Sequence, residues 1–313
     1  MVGSKHPWKA WLYLSPAIVL LLIFTVWPII NTIRMAFLEG YSSLAVVGGV
    51  KFEFGFGNFV SVVQYQGFLN CLTNTILLCV LTVPISTILA LVISVCLNAI
   101  KPFRRMLQTI FFLPYVTNSI AIGMVFAAMF NMVGNNFGNE NELVITAGII
   151  NNVIEFFGGD AINWINVGST KLANMTVMVI YIVWNALPFK ILVLLGGLQS
   201  VNKQYYDAAK VDGTSRFRTF TRITVPLLSP MITYVVITGF IGGFKEYSSI
   251  VGVFGEKMGP PGDDGRLNTM VGYIYDSLTN NQGRASAAAL ILFGIIFVVT
   301  MLNLYVSKKN THY

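Results

Sequence analysis

The sequence predicts an all-α polytopic membrane protein with six transmembrane helices. Three observations point there. Of 313 residues, 55% are hydrophobic and only 11% charged, with a mean hydropathy of +0.70, whereas a soluble domain is charged at about a quarter of its positions. Six apolar stretches are long enough to cross a hydrocarbon core of about 30 Å at about 1.5 Å per residue. Lysine and arginine, finally, gather in alternate loops, as in a chain oriented by its cytoplasmic positive charge.

The expected spans run from Trp11 to Ile33, Leu72 to Leu97, Met106 to Phe130, Leu172 to Leu198, Ile223 to Gly243, and Ala285 to Val306. They define a transmembrane domain over 11–306, preceded by a cytoplasmic N-terminus, 1–10, and followed by a cytoplasmic tail, 307–313. Pro28, Pro84, Pro114, Pro188 and Pro230 fall inside or near the ends of spans. Bent, closely packed helices are therefore expected, because neighbours must satisfy the carbonyls that proline frees.

Orientation follows from the basic residues. Lys5 and Lys9 precede the first span; Lys101, Arg104 and Arg105 join the second to the third. Lys203, Lys210, Arg216, Arg218 and Arg222 lie in the loop 203–222, with Lys308 and Lys309 at the end. The only acids in those four regions are Asp207 and Asp212; the others, among them Glu39, Glu140, Glu246 and Asp264, lie in the opposite loops. Both termini and the loop 203–222 are expected in the cytoplasm. The net charge of +7 is then a positive-inside excess and gives no reason to invoke nucleic acid.

Enzyme chemistry has little to work with. Cys71, Cys79 and Cys96 share one apolar segment, which suits neither a disulfide nor a metal site. His6 and His312 sit at the ends, which excludes a His-Glu-x-x-His zinc site and a histidine-based triad within the membrane. No Gly-x-x-x-x-Gly-Lys-[Ser/Thr] run occurs, so the chain has no P-loop. No catalytic, cofactor-binding or metal-binding residue is expected. The first apolar stretch is too long for a signal peptide and has no small-residue cleavage site after it. The span centres lack a proton or ion relay. Lys190, near the inner end of the fourth span, is expected to snorkel to cytoplasmic headgroups. Lys245 and Glu246, beyond the fifth, form either an ion pair at the external mouth or a substrate contact.

Two loops carry further expectations. Val50–Phe56 alternates and reads as an interfacial strand or loop; Ile149–Phe157 has its apolar residues on one face and reads as a helix lying on the membrane surface. A sugar path would need hydroxyl and amide groups with flat aromatic faces. Its candidates are Tyr115 and Asn118 in the third span, Tyr181, Trp184 and Asn185 in the fourth, and Thr238 in the fifth. The competing reading makes them interhelical hydrogen-bond and packing residues.

One run, Gln204–Pro230, is long, polar and charged with both signs between two apolar blocks. Two short helices suit it, at about 203–211 and 215–222. Gly213 supplies the turn between them, and Thr214 or Ser215 caps the second. Ala208 and Ala209 permit close approach by another backbone; Tyr205, Tyr206, Phe217 and Phe220 supply rings for a receiving pocket.

This run resembles the EAA loop of binding-protein-dependent ABC importers, through Asp207-Ala208-Ala209, Asp212-Gly213 and Ile223-Thr-Val-Pro226. The resemblance is nearest to the permease subunits of maltose- and glycerol-phosphate-type sugar importers. Tyr13-Leu-Ser-Pro16, Asn70 with Asn74-Thr75, Phe103-Arg-Arg105, Phe111-Phe-Leu-Pro-Tyr115, Trp184 with Leu187-Pro-Phe189, and Gly283-Arg-Ala-Ser-Ala287 extend it over nearly the whole chain. Gly259-Pro-Pro-Gly262 resembles the turn that family members carry after their fifth span. Asp207, Thr214 and Val225 depart from the family's usual Glu, Ala and Leu. The resemblance implies a type I ABC importer permease bundle working by alternating access. It also implies an ATPase-coupling surface made by Tyr205, Tyr206, Asp207, Ala208, Ala209, Asp212, Gly213, Phe217 and Pro226. The implied partners are a second homologous permease, two copies of an ABC ATPase, an extracytoplasmic solute-binding protein, membrane lipid and a sugar. Permeases for phosphorylated polyols, a proton-coupled carrier and a membrane-bound enzyme are the rival readings. The lack of internal repeats counts against repeat-built secondary transporters.

Overall fold

The computed structural model describes residues 8–100, 104–135 and 144–310. Lys5, His6, Lys101, Phe103, Glu140, Glu142 and His312 lie outside them, as do residues 1–7 of the N-terminal segment and 311–313 of the tail. The apolar stretches form helices α1 (Trp8–Phe37), α2 (Phe68–Ala99), α3 (Arg104–Val116) and α4 (Ser119–Phe130). After α4 come strands β1 (Met132–Asn135) and β2 (Val144–Ala147) and the short helix α5 (Ile149–Phe156). The chain continues as α6 (Lys171–Ser200), α7 (Lys203–Val211), α8 (Arg216–Gly243), α9 (Ser248–Phe254), α10 (Met270–Leu278) and α11 (Gln282–Asn310). Most spans reach a few residues past the apolar stretch, because polar caps extend them: Thr170 Oγ1 accepts from Ala173 N–H at 3.2 Å to start α6.

Three features depart from the sequence reading. The third span is not one rod: α3 and α4 meet at 99°. Asn118 is extended there (φ −63°, ψ 124°), and its side chain accepts from the N–H groups of Ile120 at 2.9 Å and Ala121 at 3.3 Å. A side chain that caps a new helix competes with continuation of the old one. Second, the stretch from 244 to 284 is not a plain loop but contains α9 and α10. Third, β1 and β2 make a small antiparallel ribbon, Met132 opposite Ala147, in a chain otherwise built on helices.

Two spans contain a π turn at matching places. In α1 it covers Leu22–Val26, two residues before Pro28; in α8 it covers Phe220–Thr224, two residues before Pro226. Trp27 N–H bonds Leu22 O, and Val225 N–H bonds Phe220 O. A proline ring crowds the carbonyl four residues before it and offers no N–H in return. The wider turn makes room for that carbonyl without ending the helix.

The described residues form two compact units, those within 1–68 and 273–294 and those within 69–272 and 295–313. In the first, buried Asn58 donates to the carbonyls of Ala36 at 3.0 Å and Leu38 at 2.7 Å. Val50–Phe56 is a loop with a single bridge, Leu38 to Phe54, and the Phe37 and Phe54 rings stack at 5.3 Å. In the second, one cluster gathers Leu78, Met178, Tyr181, Ile250, Met258 and Leu267; another gathers Ala90, Leu97, Ile191, Leu194 and Val235. Helices α4 and α9 cross at glycines so closely that a Cβ on Gly123 would lie 2.6 Å from Gly252 Cα. The segment 265–270 is tied to α2 by residues that stood out in the sequence. Asn70 donates to Gly265 O at 3.2 Å, Asn74 to Arg266 O at 3.0 Å and Asn268 O at 2.9 Å, and Thr75 Oγ1 accepts from Met270 N–H at 3.0 Å.

Helix α5 forms where the periodicity placed it. Ile149, Val153, Phe156 and Phe157 are exposed, while buried Asn151 bonds Ile162 and the Trp164 indole.

Candidate functional site

A cavity of about 330 Å³ opens among α2, α3, α6 and α8. That is the low end of the range for small-molecule sites. Its wall carries Tyr115, Asn185 and Thr238 from the sequence-derived set, with Thr82, Ser86, Lys190 and Glu246. Aromatic faces come from Tyr115 and Phe189, stacked with centroids 6.0 Å apart. The amide of Asn185 makes the wall polar on the α6 side.

The other three candidates lie elsewhere. Asn118 is committed to capping α4. Tyr181 is fully buried; its hydroxyl donates to the carbonyl of Ser119 and shares a 3.0 Å hydrogen bond with the Ser119 hydroxyl. Its ring packs against Phe126 at 4.7 Å. Trp184 packs on the same Phe126 at 5.3 Å. The face expected for Tyr181, Trp184 and Asn185 is therefore divided between neighbours: the first two pack on α4 at Phe126, and Asn185 lines the cavity.

Lys190 corrects its expectation. It is 4% exposed and does not snorkel. Its ammonium donates to Val83 O at 3.1 Å, Ser86 Oγ at 2.7 Å and Thr87 Oγ1 at 2.9 Å. Those hydroxyls are ready acceptors because their own hydrogens are spent on backbone, Ser86 on Thr82 O at 2.5 Å and Thr87 on Val83 O at 2.7 Å. The signal was present as Thr82, Ser86 and Thr87, hydroxyls at helical spacing around Pro84.

Glu246, just beyond α8, forms no ion pair with Lys245 among the described residues; its carboxylate accepts from Ser249 N–H at 3.2 Å. Burial pushes the Glu246 carboxyl up from its ordinary range, and its hydrogen bonds with Ser249 oppose that.

The second candidate region is the run between α6 and α8. Asn202 caps α7, its side chain accepting from Gln204 N–H at 3.0 Å. At the other end Gly213 N–H bonds Lys210 O at 3.1 Å, and Thr214 N–H bonds Ala209 O at 2.9 Å. That pair of bonds is the Schellman motif, and it needs a left-handed residue at Gly213, where φ is +65°. Ser215, not Thr214, caps the second helix, accepting from Arg218 N–H at 3.4 Å. That helix does not stop near 222 as expected; it continues through the π turn and Pro226 into the fifth span.

The run presents two faces. Tyr205, Ala208, Val211 and Phe217 are exposed, Val211 at 88% and Phe217 at 76%. Ala209 is buried, and Tyr206 and Phe220 turn inward, with Tyr206 and Thr224 hydroxyls 3.4 Å apart. Ala209, Tyr206 and Phe220 thus pack within the loop. Val211 was missed, although an apolar residue three positions after Ala208 in a polar run marks the exposed stripe. Asp207 pairs with Lys210 at 3.2 Å, and Asp212 is exposed at the helix end.

The family model for the inner membrane component of binding-protein-dependent transport systems matches residues 82–312, a stretch that contains the cavity's α6 and α8 walls and the whole α7 run. The chain belongs to this family. This permease is 28% identical over 296 residues to the lactose transport system permease protein LacF of Rhizobium radiobacter, covering 94% of this chain and 91% of that one. It is 30% identical over 297 residues to the arabinooligosaccharides transport system permease protein AraP of Halalkalibacterium halodurans, covering 94% and 86%. Its fold matches a chain of a bacterial ABC transporter involved in the import of the acidic polysaccharide alginate, with a TM-score of 0.75 at 22% identity over 98% of both chains.

Proposed function

We propose that this permease is one of two homologous membrane subunits of an ATP-driven importer that moves a saccharide supplied by an extracytoplasmic binding protein. The observation that carries the reading is the pairing of a polar, aromatic-walled cavity with a separate exposed helix in a chain that has no P-loop. Energy must then enter through a partner, and the exposed stripe Tyr205, Ala208, Val211 and Phe217 is the surface that fits an ATPase cleft. The relatives named for lactose and arabinooligosaccharides support a sugar as the solute. Both termini and α7 are assigned to the cytoplasm of a multi-pass cell-membrane protein, on the loop charges. The mechanism is alternating access. ATP draws two nucleotide-binding subunits together, α7 moves with them, and its stiff connection to α8 carries the motion to the cavity walls.

The test is reconstitution of the purified complex in proteoliposomes. Binding protein loaded with sugar should stimulate ATP hydrolysis, and Ala208→Asp should abolish both the stimulation and co-purification of the ATPase. Asn185→Ala should slow uptake about tenfold while assembly persists, the loss of one good hydrogen bond to the solute. Uptake that needs no ATP and collapses with a proton uncoupler would overturn the reading.

A further inference from the structure

Lys190 is satisfied in hydrogen bonds but not in charge. Its three acceptors are a carbonyl and two hydroxyls, all neutral, and it makes no ion pair among the described residues. An ammonium held in a span without a counter-ion is costly to keep and marks a place where a charge is used. This one lies in the wall of the cavity that also holds Asn185 and Tyr115. The cage is rigid, since Ser86 and Thr87 are anchored to their own helix. The ammonium packs close under α8, where a Cβ on Gly239 would lie 3.2 Å from Nζ.

We propose that Lys190 selects for a saccharide bearing an anionic group, and that the cavity takes an acidic sugar in preference to its neutral counterpart. This rests on the transport reading above and names its substrate class. The positive charge acts from a buried side chain, where the interaction is screened less than in bulk water. A carboxylate entering the cavity supplies the missing counter-charge while the ammonium keeps its three hydrogen bonds. Glu246, the cavity's one carboxylate among the described residues, is not paired with Lys190 and is held instead by Ser249. It therefore opposes the same anion weakly and gives Lys190 no counter-charge.

The experiment is equilibrium dialysis of the assembled transporter in detergent, without the binding protein, so that only the membrane site is read. The probes are radiolabelled cellobiose and cellobiouronic acid, which differ by one carboxylate. Wild type should bind the acid about tenfold more tightly. Lys190→Gln should bring the ratio close to one, and Lys190→Arg should keep the preference. Glu246→Gln should strengthen binding of the acid and leave cellobiose unchanged. These last two variants decide the matter if Lys190→Gln fails to assemble. Equal affinities in wild type, no binding of either sugar, a preference that Lys190→Gln leaves intact, or weaker acid binding in Glu246→Gln would each overturn the proposal. Sugar-stimulated ATP hydrolysis, measured separately, would still stand or fall with the transport reading alone.

Discussion

The α7 run and the cavity solve opposite problems. The run keeps apolar side chains in the open, Val211 and Phe217 above all, and is shaped by contacts within a dozen residues: an Asn202 cap, a Schellman close at Gly213, a Ser215 cap. The cavity keeps a charge out of the open, and is assembled from helices far apart in sequence, with Lys190 held by residues about a hundred positions earlier. The difference teaches where each region is vulnerable. Local chemistry shapes the first, so single backbone changes damage it; tertiary packing shapes the second, so only changes at helix contacts do.

Substitutions sharpen that contrast, and the largest effect is expected at Ala209. Ala209→Asp buries an unpaired carboxylate inside the run, at a cost of about 3 kcal/mol or more. Limited proteolysis should show the 203–222 loop opened while the spans stay protected; a loop as resistant as wild type would mean that Ala209 faces a partner after all. Gly213→Ala comes next. The new side chain meets no neighbour within 4 Å, but the left-handed backbone costs about 1–2 kcal/mol. ATPase co-purification should weaken, with membrane insertion unchanged. Tyr181→Phe should lower the thermal midpoint through loss of about 1 kcal/mol of hydrogen bonding to Ser119, yet leave uptake at wild-type rate. A selective fall in uptake would return Tyr181 to the sugar path. The smallest effect belongs to Asp207→Glu. The pair with Lys210 is exposed and contributes about 0.3 kcal/mol, so ATP hydrolysis and melting should both match wild type.

The same division explains how much could be read from the residues alone. The spans were legible because a bilayer demands long apolar runs, and α7 because Gly213 and Ser215 act through their immediate neighbours. Burial of Ala209 was not legible: nothing in Asp207-Ala208-Ala209 says which alanine faces home. The break at Asn118 hid inside an apolar run, where one capping amide outweighed the hydropathy on both sides. Lys190 was misplaced because snorkelling is judged from depth along one helix. Its real partners sit on another, and only the Thr82–Thr87 hydroxyls hinted at them. The split of Tyr181 from Asn185 likewise depended on α4 packing against one side of α6 alone.

The π turn at Phe220–Thr224 sets the phase between α7 and the fifth span. Each residue added to or removed from a helix turns everything beyond it by about 100°. This turn holds one residue more than an α-helical turn, stored where Pro226 makes regular winding unfavourable. Deleting Thr221 would let the helix close into ordinary turns with the stripe still in place, whereas a residue inserted in the regular helix beyond Pro226 would leave a folded protein whose stripe points about a quarter-turn away. On the proposed coupling, the inserted protein's joint would be intact and mistimed: a push from the ATPase would arrive along the wrong azimuth. The insertion should therefore destroy the coupling that the Thr221 deletion preserves.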